Sequence, residues 1–238
     1  MSAEARSILL QLDVVDRERC ARNADPALAE SVVGLKSYQQ RRFAGTYADL
    51  LSNLRYAPAA RFFLDELYGP RDFSSRDAQF ARVVPAMVRL FPAEIVHTVQ
   101  TLADLHALSE TLDTLMARRL QGRDIDRLAY VDAWQHVGDP AQRERQIALT
   151  LTVGSDLDRL TRKPLLRGAL HMMRGPAKAA GLPALQAFLE VGFDTFKAMG
   201  GAAEFLSTVG LRERALAQAL FSTSVDSDSV EAALGQLP

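Results

Sequence analysis

The chain of 238 residues contains a single cysteine, Cys20, and that scarcity removes several classes of protein at once. One thiol cannot build an intramolecular disulfide framework or a cysteine-rich zinc module, and it fits a reducing cytoplasm. Neither sign of charge is in excess. With 28 lysines and arginines against 29 acids the net charge is −1, so no global field draws the protein to nucleic acid. Any anion must be met by a local patch. Long apolar runs are missing too: no segment approaches the roughly 18 uncharged apolar residues of a membrane span. The opening MSAEARSILLQLDVVDRERC has an early acid and too short an apolar stretch for a secretory signal. A soluble cytoplasmic protein without a membrane span is expected.

Linear catalytic motifs are absent as well. There is no Gly-x-Ser-x-Gly elbow, no phosphate-cradling glycine loop ending in Lys-Ser/Thr, and no Gly-x-Gly-x-x-Gly after a strand. Four histidines, His97, His106, His136 and His171, form no pair at metal-binding spacing and no His-Glu-x-x-His. His97 and His106, nine residues apart, fall on opposite sides of one helix. The sequence thus nominates no catalytic residue and no metal site, and an enzyme with a distributed site is the third of three readings.

What the chain does have is helical spacing almost throughout, without a convincing strand-like alternation, and 48% hydrophobic residues to fill a core. The fold class expected is all-α: one domain over 1–222 of about eight to ten helices, with a globin-like or bundle-like core. Any subdivision falls near 122–139, and 223–238 is a polar, mobile tail in which Val230 to Leu237 can form a short helix. Asp25-Pro26 and Asp139-Pro140 each read as a cap followed by proline in the first turn. The second helix runs to about Asn53, and Pro85 kinks or breaks the helix that ends at Phe91. Pro92 opens the longest pattern, to Leu120, with Ile95, Val99, Leu102, Leu105, Leu112, Leu115 and Met116 on its apolar face.

The segment Phe62 to Asp77, FFLDELYGPRDFSSRD, is the most specific in the chain. Gly69 and Pro70 stop one helix, Asp72 or Ser74 caps the next, and Asp77 stands where a capping-box acid would. Asp65, Tyr68, Arg71, Asp72, Arg76 and Asp77 form a structural corner, its charges pinning the two helices together. The segment resembles the signature of a group of uncharacterised bacterial all-helical proteins, a resemblance that covers about Arg61 to Leu120 and implies no activity.

The interval from Arg159 to Leu189 contains no acid. Within it Lys163, Arg167, His171, Arg174 and Lys178 fall near one helical stripe, which Gly175-Pro176 interrupts before Lys178. Such a stripe suits a small anionic ligand or an acidic partner, because guanidinium groups give bidentate charge-assisted hydrogen bonds. The competing interpretation is a solvated face whose acids come from another helix, Glu190 and Asp194 among them. A binding or interaction role, with a protein partner or self-association, is therefore the leading expectation. The alternative is a haem-binding sensor, since Leu102-Ala103-Asp104-Leu105-His106 resembles the proximal-histidine helix of globins, with His106 as the ligand. No other cofactor is implied.

Overall fold

The computed structural model describes residues 1–67, 73–235 and 237–238, and the regular structure among them is helical. Ser2 Oγ accepts the Ala5 N–H at 3.2 Å to open α1 (Ala3–Asn23). Asp25 and Asp139 cap α2 (Pro26–Thr46) and α8 (Pro140–Thr161), each with proline in the first turn, where its missing N–H is no loss. The second helix is shorter than expected. It breaks at Tyr47, whose buried ring lies 4.3 Å from that of Phe43, and resumes as α3 (Ala48–Ser52).

The short α4 (Ala57–Phe62) passes into a π-turn (Phe63–Leu67). Tyr68, Gly69, Pro70, Arg71 and Asp72 lie outside the described residues. On the far side of the corner α5 (Ser74–Leu90) continues through Pro85, and its N-cap residue is Phe73 rather than Ser74. The long α6 (Ala93–Leu120) follows, then α7 (Arg127–His136). After α8 come α9 (Pro164–Met172), α10 (Arg174–Ala179), α11 (Pro183–Met199) and α12 (Ala203–Ser222). Gly200, at φ +67, supplies the left-handed residue that ends α11. The all-α class is as expected, with more and shorter segments than eight to ten because Tyr47 and the prolines subdivide the chain.

Residues 223–238, expected as a tail, carry a thirteenth helix, α13 (Ser227–Leu234). Val230, Leu234 and Leu237 are buried with Leu28, Leu120, Tyr130 and Leu220 in one core cluster. A second cluster joins α2, α3, α4, α11 and α12 through Phe43, Tyr47, Phe63, Phe196 and Phe205. A third joins α1, α5 and α6 through Ile8, Val84 and Val96. Where α8 crosses α12, Gly154 and Gly210 let Leu206 and Leu151 approach to 2.5 and 2.9 Å of where a Cβ would stand.

Helix α6 packs against α1, α2, α5, α7 and α8 and is the central helix. Its buried face differs from the leucine stripe in the sequence. Leu112 and Met116 are buried, but Leu115 is 45% exposed. Buried in addition are Thr98, Thr101, Ala103, Ala107, Glu110, Thr114 and Ala117. Small side chains at 103 and 107 let neighbouring helices come close, and they leave room for polar groups one and two turns further on.

Candidate functional site

Because α6 carries Ala103, Ser109, Glu110 and Asp113 where leucines would fill the core, the helices around it do not close completely. A cavity of about 180 Å³ remains, walled by α6 together with α1, α2, α5, α7, α8, α11 and α12. At one end the wall is mostly apolar, with Phe80, Val99, Leu102, Leu185, Phe188 and Leu189. At the other, ionisable groups converge.

Glu110 anchors the polar end. It accepts from Lys36 Nζ at 2.6 Å and pairs with Arg22, whose Nη2 also donates to the Glu110 carbonyl at 2.8 Å. Thr114 Oγ1 accepts from Arg22 Nε at 3.0 Å. Burial works against the Glu110 charge, yet Lys36 and Arg22 hold its pKa down to about 2. Asp113 is less well served. Gln39 Nε2 donates to its Oδ1 at 3.3 Å and Lys36 Nζ is 3.9 Å from Oδ2. Burial therefore raises its pKa, with Lys36 opposing and Glu110 adding to the rise.

Across the cavity, Arg143 on α8 lies 3.8 Å over the ring of Trp134 and donates to Gln146 Oε1 at 3.1 Å. Gln146 in turn donates to Ser109 Oγ at 2.8 Å. Arg42 Nη1 donates to Glu213 Oε1 at 2.5 Å, and the Tyr47 hydroxyl donates to the same oxygen at 2.7 Å. The buried Tyr130, with its pKa raised by burial against the opposing charges of Arg42 and Arg143, sits among these groups. Two N–H donors on wall residues, Arg42 Nε and Trp134 Nε1, are buried with no hydrogen-bond partner among the described residues.

Between the two ends stands His106. Its Nε2 is 2.8 Å from Asp77 Oδ2, an oxygen that also accepts from Arg19 Nη2 at 2.6 Å. Burial opposes ionisation of Asp77, but the His106 hydrogen bond and charge, with Arg76 and Arg19, hold its pKa well below the usual carboxylate range. Arg76 Nε donates to Asp77 Oδ1 at 3.2 Å, its Nη1 to the Glu66 carbonyl at 2.9 Å, and its guanidinium lies over Phe73 and Phe188.

A family model described as "Domain of unknown function (DUF8198)" matches residues 18–227. The chain belongs to this family. No curated protein and no solved structure matches it. The matched span contains the cavity wall from Lys36 to Ala217, with Leu12 alone of the lining residues preceding it.

The residues nominated from sequence divide among three places. Of the corner set, Asp65 is exposed, and Arg76 and Asp77 are drawn into one network with α1 and α6; Tyr68, Arg71 and Asp72 lie outside the described residues. His106 is on the cavity wall, with the nitrogen a haem iron would take already facing Asp77. The basic stripe lies apart from the cavity. Arg167 makes a bidentate pair with Asp194 at 2.6 and 2.8 Å, Arg174 one with Glu190, and Lys163 pairs with Glu94, while His171 and Lys178 are exposed. Among the described residues no group of three or more His, Cys, Asp or Glu could hold a metal ion, and no helix is long and apolar enough to cross a membrane.

Sequence reasoning missed Lys36, Gln39 and Arg42 on α2, Arg143 and Gln146 on α8, and Glu213 on α12, because each reads alone as an ordinary polar residue of an amphipathic helix. The available signal was on α6: Ser109, Glu110 and Asp113 fall on the same side as Leu102 and Met116, inside a stripe that should be apolar.

Proposed function

We propose that this chain is a small-molecule-binding domain whose ligand occupies the cavity beside α6. The observation that supports this is the convergence of buried and half-buried ionisable side chains, Arg42, Glu110 and Arg143 with Lys36 and Asp113, on one interior space with an aromatic wall. Taking an ion out of water carries a penalty of several kcal/mol even after relaxation, and an all-helical core can be filled without doing so. Clustered charges around a cavity are the arrangement expected where a ligand must be oriented, its polar group held by the charges and its apolar body against the apolar side chains beside them.

The reading is tested by thermal melting of the purified protein against a library of small neutral, cationic and anionic compounds. A ligand present at a hundred times its Kd adds about 2.7 kcal/mol, which in a domain of this size raises Tm by roughly 5–10 °C. Trp134, the only tryptophan, lines the cavity and should report the same compounds by fluorescence. A library with no stabilising compound, together with native mass spectrometry that finds no co-purified mass, sinks the proposal.

The basic stripe offers an anion or an acidic partner a weaker site, since Asp194 and Glu190 must first be displaced from Arg167 and Arg174. Binding that survives Arg167→Ala/Arg174→Ala belongs to the cavity and not to the stripe.

A further inference from the structure

Resting on the cavity reading, we infer that the ligand is a small organic acid: a carboxylate carried on a compact apolar or aromatic body. The sign of the wall comes first. At the polar end Lys36, Arg42 and Arg143 on the wall, with Arg22 behind it on Glu110, make four cations against three carboxylates, Glu110, Asp113 and Glu213. Glu110 and Glu213 are closely paired, by Arg22 and Lys36 and by Arg42 and Tyr47. Asp113 has only the longer contacts to Gln39 and Lys36, and its burial favours the neutral form. Four cations against three carboxylates leave the balance positive, and an added anion is better accommodated there than an added cation.

Hydrogen bonding points the same way. Arg42 Nε and Trp134 Nε1 are donors without an acceptor among the described residues, so a ligand bearing acceptor oxygens suits the residues of this wall. Size sets the third condition. At about 30 Å³ for each water in the liquid, a cavity of about 180 Å³ has room for the equivalent of roughly six waters. That is on the order of ten non-hydrogen atoms, well below a lipid chain or a drug-sized ligand. Phe43 and Leu216, lining residues next to Arg42 on α2 and one turn from Glu213 on α12, supply apolar surface for the body of such a molecule.

Three probes of nearly equal size separate the possibilities on the full chain: phenylacetate, 2-phenylethanol and 2-phenylethylamine, each titrated against Trp134 fluorescence and Tm. Saturable binding of phenylacetate at least tenfold tighter than either of the others is expected. Arg143→Gln should weaken phenylacetate at least tenfold and leave 2-phenylethanol within twofold, with helicity checked by circular dichroism. The comparison of probes on the unmodified protein stands even where that variant fails to fold. Equal or tighter binding of the amine or the alcohol overturns the organic-acid inference and leaves the cavity reading intact. Should no probe bind while other library compounds do, the acid class is likewise overturned; silence from every compound removes the cavity reading itself.

Discussion

Glu110 and Asp113, three residues apart on α6, share the ammonium of Lys36 and shift in opposite directions, the first held down to about 2 and the second raised. The difference lies in the second cation: Arg22 reaches Glu110, and Asp113 must rely on the amide of Gln39. One carboxylate is thus a fixture of the fold and its neighbour is held in an environment that disfavours its charge.

Replacing the two should therefore have unequal effects. Glu110→Gln leaves Arg22 buried without its anion and should cost about 3–5 kcal/mol. Asp113→Asn should be neutral or mildly stabilising, because burial of the charged form is the largest influence on it. Urea denaturation of both variants at pH 7 checks the contrast, and similar losses would refute it.

Acid should weaken the fold with a defined sign. Glu110 and Asp77 have folded pKa values below their ordinary ones, so the unfolded chain binds more protons in the acid range. The Glu110 contribution is complete above its ordinary value of 4.5 and disappears as pH falls towards about 2, and that of Asp77 is lost further into acid. Asp113 acts in reverse, its contribution complete in acid and lost as pH rises through its raised value. Two groups outweigh one. The urea midpoint should be lower at pH 3 than at pH 6, and the gap should narrow in Glu110→Gln; an unchanged gap would refute the assignment.

Two glycines distinguish close packing from open helix surface. Gly154→Ala puts a Cβ 2.5 Å from Leu206 Cδ2 and should destabilise by about 1–3 kcal/mol. Gly168→Ala, inside α9 with nothing within 4 Å, should stabilise by roughly 0.5–1 kcal/mol through helix propensity alone. Thermal melting of the pair would show shifts of opposite sign.

The carboxyl-terminal helix should behave as part of the core. Leu234 is fully buried, and Leu234→Ala is expected to cost about 2–5 kcal/mol. A variant as stable as the parent would mean that α13 is not docked in solution.

The helices were legible in the sequence because their stops and caps are local: Asp25-Pro26, Asp139-Pro140 and Gly200 act within a single turn. The break at Tyr47 was not, since it comes with a ring packed in a core built from α11 and α12, over a hundred and thirty residues away in the chain. The same separation hid the cavity. Lys36 and Glu110 are 74 positions apart, Arg42 and Glu213 171, and each reads alone as an ordinary solvated charge. Even the polar end of Phe62–Asp77, the segment most distinctive in sequence, acquires its partners from elsewhere, with Asp77 bound by Arg19 of α1 and His106 of α6. For the stripe on α9 the nearby acids of α11 are now visible as its partners.

Helix α9 buries none of its side chains, and Leu165 and Met172 are 84% and 74% exposed. It is tied down by the ion pair of Arg167 with Asp194, the neighbouring pair of Lys163 with Glu94, and the bond from Gln186 to the Leu170 carbonyl. Such a helix opens at a small fraction of the free energy of global unfolding, and its amides should be among the first of the helical amides to exchange with deuterium. Gln186 belongs to α11, which also supplies Leu185, Phe188 and Leu189 to the cavity wall. This weakly buried helix therefore rests on one wall of the interior, and slower exchange across 164–172 on filling the cavity would report occupancy from outside the site.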